Sequence, residues 1–303
     1  MNNSRETAEK DDEHCDGICG SCQEKESCTD PRALQLETKD RMAKIKHKIV
    51  VGSGKGGVGK STVTVNLAAA LQSRGFKVGI LDADITGPDI PKLLGIEDQK
   101  LAASPDGLEP ADAAGIKVVS MALLIKSRDS PVVWRGPMKM AALQQFVSDV
   151  HWGDLDFLLI DLPPGTSDEP ISAVQLIGGL DGAVIVTTPQ EVALLDSRKA
   201  VNMFLMMNVR VLGIVENMSG LVCPHCGKMI EVFNIGGGER AASDLNVPFL
   251  GAIPLDTEIG RLGDMGQTFT ETNTSAAKTF NRIIAAILAK LDDSNAISHE
   301  RKI

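Results

Sequence analysis

Cys223 and Cys226 stand two residues apart in LVCPHCGK, residues 221–228. A Cys-x-x-Cys turn offers two thiolates, whereas tetrahedral zinc or an iron–sulfur cluster usually takes four protein ligands. Every other cysteine is more than a hundred residues away, so this turn is half of a metal site. The turn alone leaves the metal open, because Cys-Pro-x-Cys-Gly also suits a zinc knuckle. His225, between the two thiols, reads as a solvated turn residue.

A second stretch, GSGKGGVGKST at 52–62, suits phosphate. Gly54, Lys55, Gly56, Gly57, Val58, Gly59, Lys60 and Ser61 fit G-x-x-x-x-G-K-[ST]. Glycines let the backbone curl until successive N–H groups converge on phosphate oxygens, and the following helix adds its positive end. Lys60 is expected to reach the β- and γ-phosphates, Ser61 to ligate Mg²⁺, and Thr62 to touch the α-phosphate. Residues 52–57 also fit G-x-G-x-x-G, the dinucleotide fingerprint. Gly-Lys-Ser at the right offset decides for the phosphate loop, with ATP and Mg²⁺ as its ligands. Lys55 is an additional cation; since Lys60 already serves the phosphates, a lysine at the rim could serve a phosphate held by another subunit.

Two acidic runs follow. Asp82 and Asp84 close a strand, and Asp161 closes another before LPPG. Carboxylates at the carboxyl ends of parallel strands face the ligand crevice, and Asp161 suits the Walker-B place near Mg²⁺. A helix cap or turn is the alternative for an isolated Asp, Asp82 above all. Gly165, in DLPPGTSD, allows close approach to a γ-phosphate.

The elements that must position these residues are legible in the pattern. Apolar runs at 48–53, 77–84, 116–121, 156–163, 182–188, 209–217 and 248–254 read as buried strands. Segments such as 60–74, 137–150, 193–207 and 275–291 have helical length. Alternating strand and helix, with strands apolar on both faces, implies an α/β fold: a mostly parallel sheet covered by helices. The last helix, with RIIAAILAKL, reads as packed on the sheet rather than lying on a membrane, because its polar face is not rich in Lys or Arg. Hydrophobic residues at 43% supply a core, which with no Tyr is built from aliphatics and Met.

Residues 1–44 differ from the rest. Met1–Asp40 carry eleven acidic and five basic residues, most of the whole-chain charge of −9. Cys15, Cys19, Cys22 and Cys28 form a complete four-ligand set there, suiting a small loop around a [4Fe–4S] cluster; a zinc loop or a disordered redox tail are the alternatives. The expected division is this segment, a P-loop ATPase domain at 45–292 and a flexible tail at 293–303. The acidic balance argues against a nucleic-acid partner. With no signal peptide and no apolar run of membrane-spanning length, a soluble cytoplasmic protein without a membrane partner is expected.

The phosphate loop with its extra lysine resembles the MinD/ParA-like deviant-Walker-A ATPases. GSGKGGVGKST, DADITGPDIPKLLG, DLPPGTSDE, TTPQEVALLD, VENMSG and CPHCG, together and in order, resemble the Mrp/ApbC-like iron–sulfur cluster carrier ATPases over about 45–290. The resemblance implies a homodimer in which Lys55 acts in trans, Asp84 positions the attacking water, Asn217 binds adenine, and Cys223 and Cys226 of two chains share one [4Fe–4S] cluster for transfer to apo iron–sulfur proteins. The N-terminal cysteines resemble the extension of the family's cytosolic scaffold branch, though with a shorter first gap. Three other readings remain: a MinD/ParA-type positioning or partitioning ATPase, an ATP-driven electron donor like nitrogenase iron protein, and a zinc-stabilised nucleotide-binding scaffold.

Overall fold

The structure, a computed structural model, describes residues 41–104, 107–125, 133–223 and 225–300. Cys15, Cys19, Cys22 and Cys28 lie outside the described residues, as do Pro224 and 301–303.

The first half of the chain runs β1 (Ile45–Ser53), α1 (Lys60–Gln72), β2 (Val78–Asp82), α2 (Ile90–Leu93), β3 (Ala102–Ser104), β4 (Gly107–Glu109), β5 (Ala111–Ala113), β6 (Ile116–Val119) and α3 (Gly136–Ser148). It continues through β7 (Leu155–Asp161), α4 (Asp168–Ile177), β8 (Gly182–Thr187), α5 (Glu191–Met206), β9 (Val211–Glu216), β10 (Leu221–Val222) and β11 (Met229–Ile230). It closes with α6 (Gly237–Asp244), β12 (Phe249–Ala252), α7 (Thr257–Asp264) and α8 (Ser275–Glu300).

Eight strands form one sheet in the order β12-β9-β8-β1-β7-β2-β6-β5. All neighbours pair in parallel except β5, which runs antiparallel to β6 at the edge. The central strands are buried almost throughout and mostly apolar because helices cover both faces, which leaves no solvent side to favour alternation. The parallel strands end on one edge of the sheet, which brings Ser53, Asp82, Asp161, Thr187 and Glu216 to a common rim.

All seven expected strands are present. The chain between 102 and 113 carries three further strands that periodicity does not signal, because Ala, Gly and Ser give short runs little apolar pattern. The last helix packs on β9 and β12 through Phe280, Ile283, Ile284 and Ile287, all buried, as expected for a terminal helix on the sheet. The sequence reading ends this helix at 291; the structure carries it to Glu300. No helix among the described residues is long and apolar enough to cross a membrane.

Candidate nucleotide site and cysteine hairpin

The phosphate loop, residues 54–59, joins central β1 to α1. Ser53 Oγ donates to the Lys55 carbonyl at 3.0 Å and starts the curl. Gly59 is the N-cap of α1 with φ +85°, a left-handed conformation that favours glycine, and no side chain caps that helix. The N–H groups of its first turn are thus left to a ligand, at the positive end of the helix. Gly54 is required for a reason the motif does not state. A Cβ there would overlap the Asp196 carbonyl and the Ser197 amide of α5. The loop is pressed onto the neighbouring helix, backbone against backbone.

Asp161 gathers the donors at the root of the loop. Lys60 Nζ pairs with Oδ2 at 2.6 Å, Ser61 Oγ donates to the same oxygen at 2.7 Å, and Thr64 Oγ1 donates to Oδ1 at 2.7 Å. Both charged partners are buried, so the ammonium turns to the carboxylate. Beside them Asp82, aligned with Asp161 across β2 and β7, accepts from Ser120 Oγ at 2.8 Å and from the Asp84 amide at 3.2 Å. Burial, then the Asp161 charge, holds the Asp82 carboxyl well above its ordinary range. Burial also raises Asp84 and Asp89, and the Lys60 charge opposes it in both. Gly165, in the loop after β7, donates to the Ser53 carbonyl at 2.9 Å, tying this loop to the phosphate loop.

The structure therefore brings Lys60, Ser61, Asp84 and Asp161 together, as expected. It adds Thr64, Ser120 and Asp89. Thr64 lies one helical turn after Lys60, a spacing the sequence could have offered; Ser120 and Asp89 carry no local signal. Ser61 and Asp161, a hydroxyl and a carboxylate sharing a hydrogen bond, form an oxygen donor set that fits Mg²⁺. Lys55 stands at the rim, partly exposed, and forms no ion pair among the described residues. Asn217, expected at adenine, braces the loop: its Nδ2 donates to the Val58 carbonyl at 2.9 Å.

Cys223 and Cys226 sit at the tip of the β10–β11 hairpin. The Cys223 amide donates to the Lys228 carbonyl and the Gly227 amide to the Cys223 carbonyl, each at 2.9 Å. Cys223 is half-buried, Cys226 exposed, and both thiols are free. Amide N–H groups of Cys226, then His225, followed by the Cys226 thiol, point at the Cys223 sulfur and lower its pKa from the ordinary thiol value. That arrangement favours the thiolate, the form that ligates metal. No group of three or more His, Cys, Asp or Glu able to hold a metal occurs among the described residues. Val222 and Met229, a cross-strand pair beside the tip, are exposed.

Comparison with known proteins points one way. A family model described as ParA, NUBPL iron-transfer P-loop NTPase, matches residues 44–288. The iron-sulfur cluster carrier protein of Methanocaldococcus jannaschii is 50% identical over 283 residues, covering 92% of this chain and 98% of that protein. The cytosolic Fe-S cluster assembly factor CFD1 of Eremothecium gossypii is 45% identical over 263 residues, covering 82% and 94%. The solved structure of a nucleotide-binding protein from Archaeoglobus fulgidus in complex with ADP superposes with a TM-score of 0.71 at 42% identity, covering 81% of this chain and 96% of that one.

Proposed function

The chain belongs to the NUBPL-type iron-transfer P-loop NTPases of the ParA group, and from that premise we propose that it is a homodimeric ATPase that carries a [4Fe–4S] cluster and hands it to apo iron–sulfur proteins in the cytoplasm. The observation that carries the reading is the exposed two-thiol hairpin on the same chain as a complete phosphate loop. Two thiolates are half a ligand set, and a two-fold axis turns them into four. The cluster is cargo, so an exposed, shared seat suits its release.

The chain's own residues divide the ATPase work. Amides of Gly56, Gly57, Val58 and Gly59 and the first turn of α1 cradle the phosphates, with Ser61 and Thr62 beside them. A magnesium ion held at Ser61 and Asp161 would neutralise charge on the phosphate oxygens. Lys60 exchanges its Asp161 partner for phosphate. Asp84 orients the attacking water, Lys55 reaches across the dimer to the partner's nucleotide, and Asn217 contributes to the adenine pocket while holding Val58. The four N-terminal cysteines, Cys15, Cys19, Cys22 and Cys28, hold a second cluster.

Anaerobic reconstitution of the full chain with iron and sulfide tests this. Wild type should gain the broad visible absorbance of an iron–sulfur centre. Changing Cys223 and Cys226 to Ser should remove the share of iron that is passed to an apo acceptor. Changing the four N-terminal cysteines to Ser should leave that share in place. Zinc in place of iron in anaerobically purified protein, or undiminished transfer without Cys223 and Cys226, would overturn the reading.

A further inference from the structure

The cysteine hairpin and the phosphate loop are joined by two consecutive residues at the end of β9. We propose that Glu216 is a positioning residue that transmits the state of the phosphate loop to the cysteine hairpin. This rests on Cys223 and Cys226 being the cluster-holding pair.

Glu216 is fully buried and forms no ion pair among the described residues. Hydrogen-bond donors balance its charge instead. Ser219 Oγ donates to Oε1 at 2.5 Å, the Gly236 amide to Oε1 at 3.1 Å, and the Gly238 amide to Oε2 at 2.5 Å. In sequence, Ser219 stands just before the hairpin and Gly236 and Gly238 just after it. One carboxylate therefore fastens both feet of the hairpin. Gly238 now has a reason. A Cβ on Gly238 would lie 3.0 Å from Glu216 Cβ and 3.1 Å from Oε2, so any larger residue would press on the carboxylate.

The other side of the connection is Asn217. Its amide holds the Val58 carbonyl, and a Cβ on Gly59 would overlap it, so there is no slack between this side chain and the loop. Backbone bonds hold the pair on the rim of the sheet: the Asn217 amide donates to the Thr187 carbonyl at 2.7 Å and the Ile253 amide to the Glu216 carbonyl at 2.8 Å. Beyond it, Met218 and Gly220 take left-handed φ values of +57° and +70°, a sharp turn that sends the chain into the hairpin. A phosphate loop that closes on nucleotide moves Asn217, and the shared peptide unit carries the change to Glu216 and so to both feet of the hairpin.

The test reads thiol exposure rather than cluster content. N-ethylmaleimide labelling of Cys226 in the metal-free full chain, followed by peptide mass spectrometry, is compared with Mg-ADP and with a non-hydrolysable ATP analogue. Wild-type rates in the two states should differ by about fivefold or more, and Glu216→Gln and Ser219→Ala should bring that ratio within about twofold while nucleotide affinity is kept. A merely structural clamp would speed labelling equally in both states and leave the ratio untouched. Should Glu216→Gln not fold, Ser219→Ala decides, with Ser219→Thr restoring the hydroxyl and the ratio. A folded Ser219→Ala variant with the wild-type ratio, or a wild-type ratio of one, would overturn the inference. Failure of iron binding with an intact labelling ratio would overturn the cluster reading and not this one.

Discussion

At the scale of residues, the nucleotide site holds more negative charge than its own cations balance. Asp82, Asp84, Asp89 and Asp161 all lie in the field of Lys60, and burial raises three of them. A buried carboxylate that must stay ionised works against folding, and the divalent cation proposed for this site would offset that cost. Asp82 gives the sign. Its folded pKa lies above the unfolded value, so the folded chain binds more protons in that window and loses stability as pH rises through it. Asp82→Asn removes the penalty. Its melting temperature without nucleotide should exceed that of wild type at neutral pH, and the gap should close as pH falls into the ordinary carboxylate range. A gap independent of pH would contradict this. Lys60, Ser61 and Asp161 were readable from sequence because the phosphate-loop spacing names two of them and a strand end places the third. Thr64 was within reach of the same reading, one helical turn after Lys60, whereas Ser120 and Asp89 were not, since the fold brings them in from other elements.

At the scale of elements, glycines that share one motif do different work. Gly54 lets the loop lie against α5, whereas the nearest atom to a Cβ on Gly56 would be Pro164 Cγ at 3.9 Å, an ordinary contact. Gly54→Ala should cost about 2 kcal/mol or more in stability, because backbone must move to admit the methyl group, and should abolish ADP binding. Gly56→Ala should melt with wild type. Denaturant unfolding and calorimetric titration check both; equal losses would show that the glycines act only through phosphate contact. The motif names both positions but cannot rank them, since the difference depends on a helix that begins more than a hundred residues later. The long apolar strands were legible for the opposite reason: burial on both faces writes itself into composition. Gly236 and Gly238 passed unread because their partner, Glu216, lies about twenty residues upstream and meets them only in three dimensions.

At the scale of the whole molecule, the question is what completes the two-thiol hairpin. The hairpin rises from the same rim as the nucleotide site, and its cross-strand pair Val222 and Met229 is 41% and 55% exposed. A two-stranded ribbon with an apolar pair beside two free thiols gains little alone, because such a ribbon is marginal in water. A second copy across a two-fold axis would cover that pair and bring two more thiolates, so metal ligation and apolar burial would favour the same assembly. Met229→Glu separates these contributions, since it leaves both cysteines in place and puts a charge where the proposed second copy would pack. The variant should fold as wild type, because Met229 lies outside the core. Its dimer should dissociate about tenfold more readily, the cost of about 1.4 kcal/mol expected on burying a charge at such a contact. Sedimentation of the reconstituted protein measures the dissociation, and iron retention on dilution should fall in parallel. A Met229→Glu chain that loses its dimer yet keeps its iron would mean that a single hairpin holds the cluster with ligands from elsewhere in its own chain.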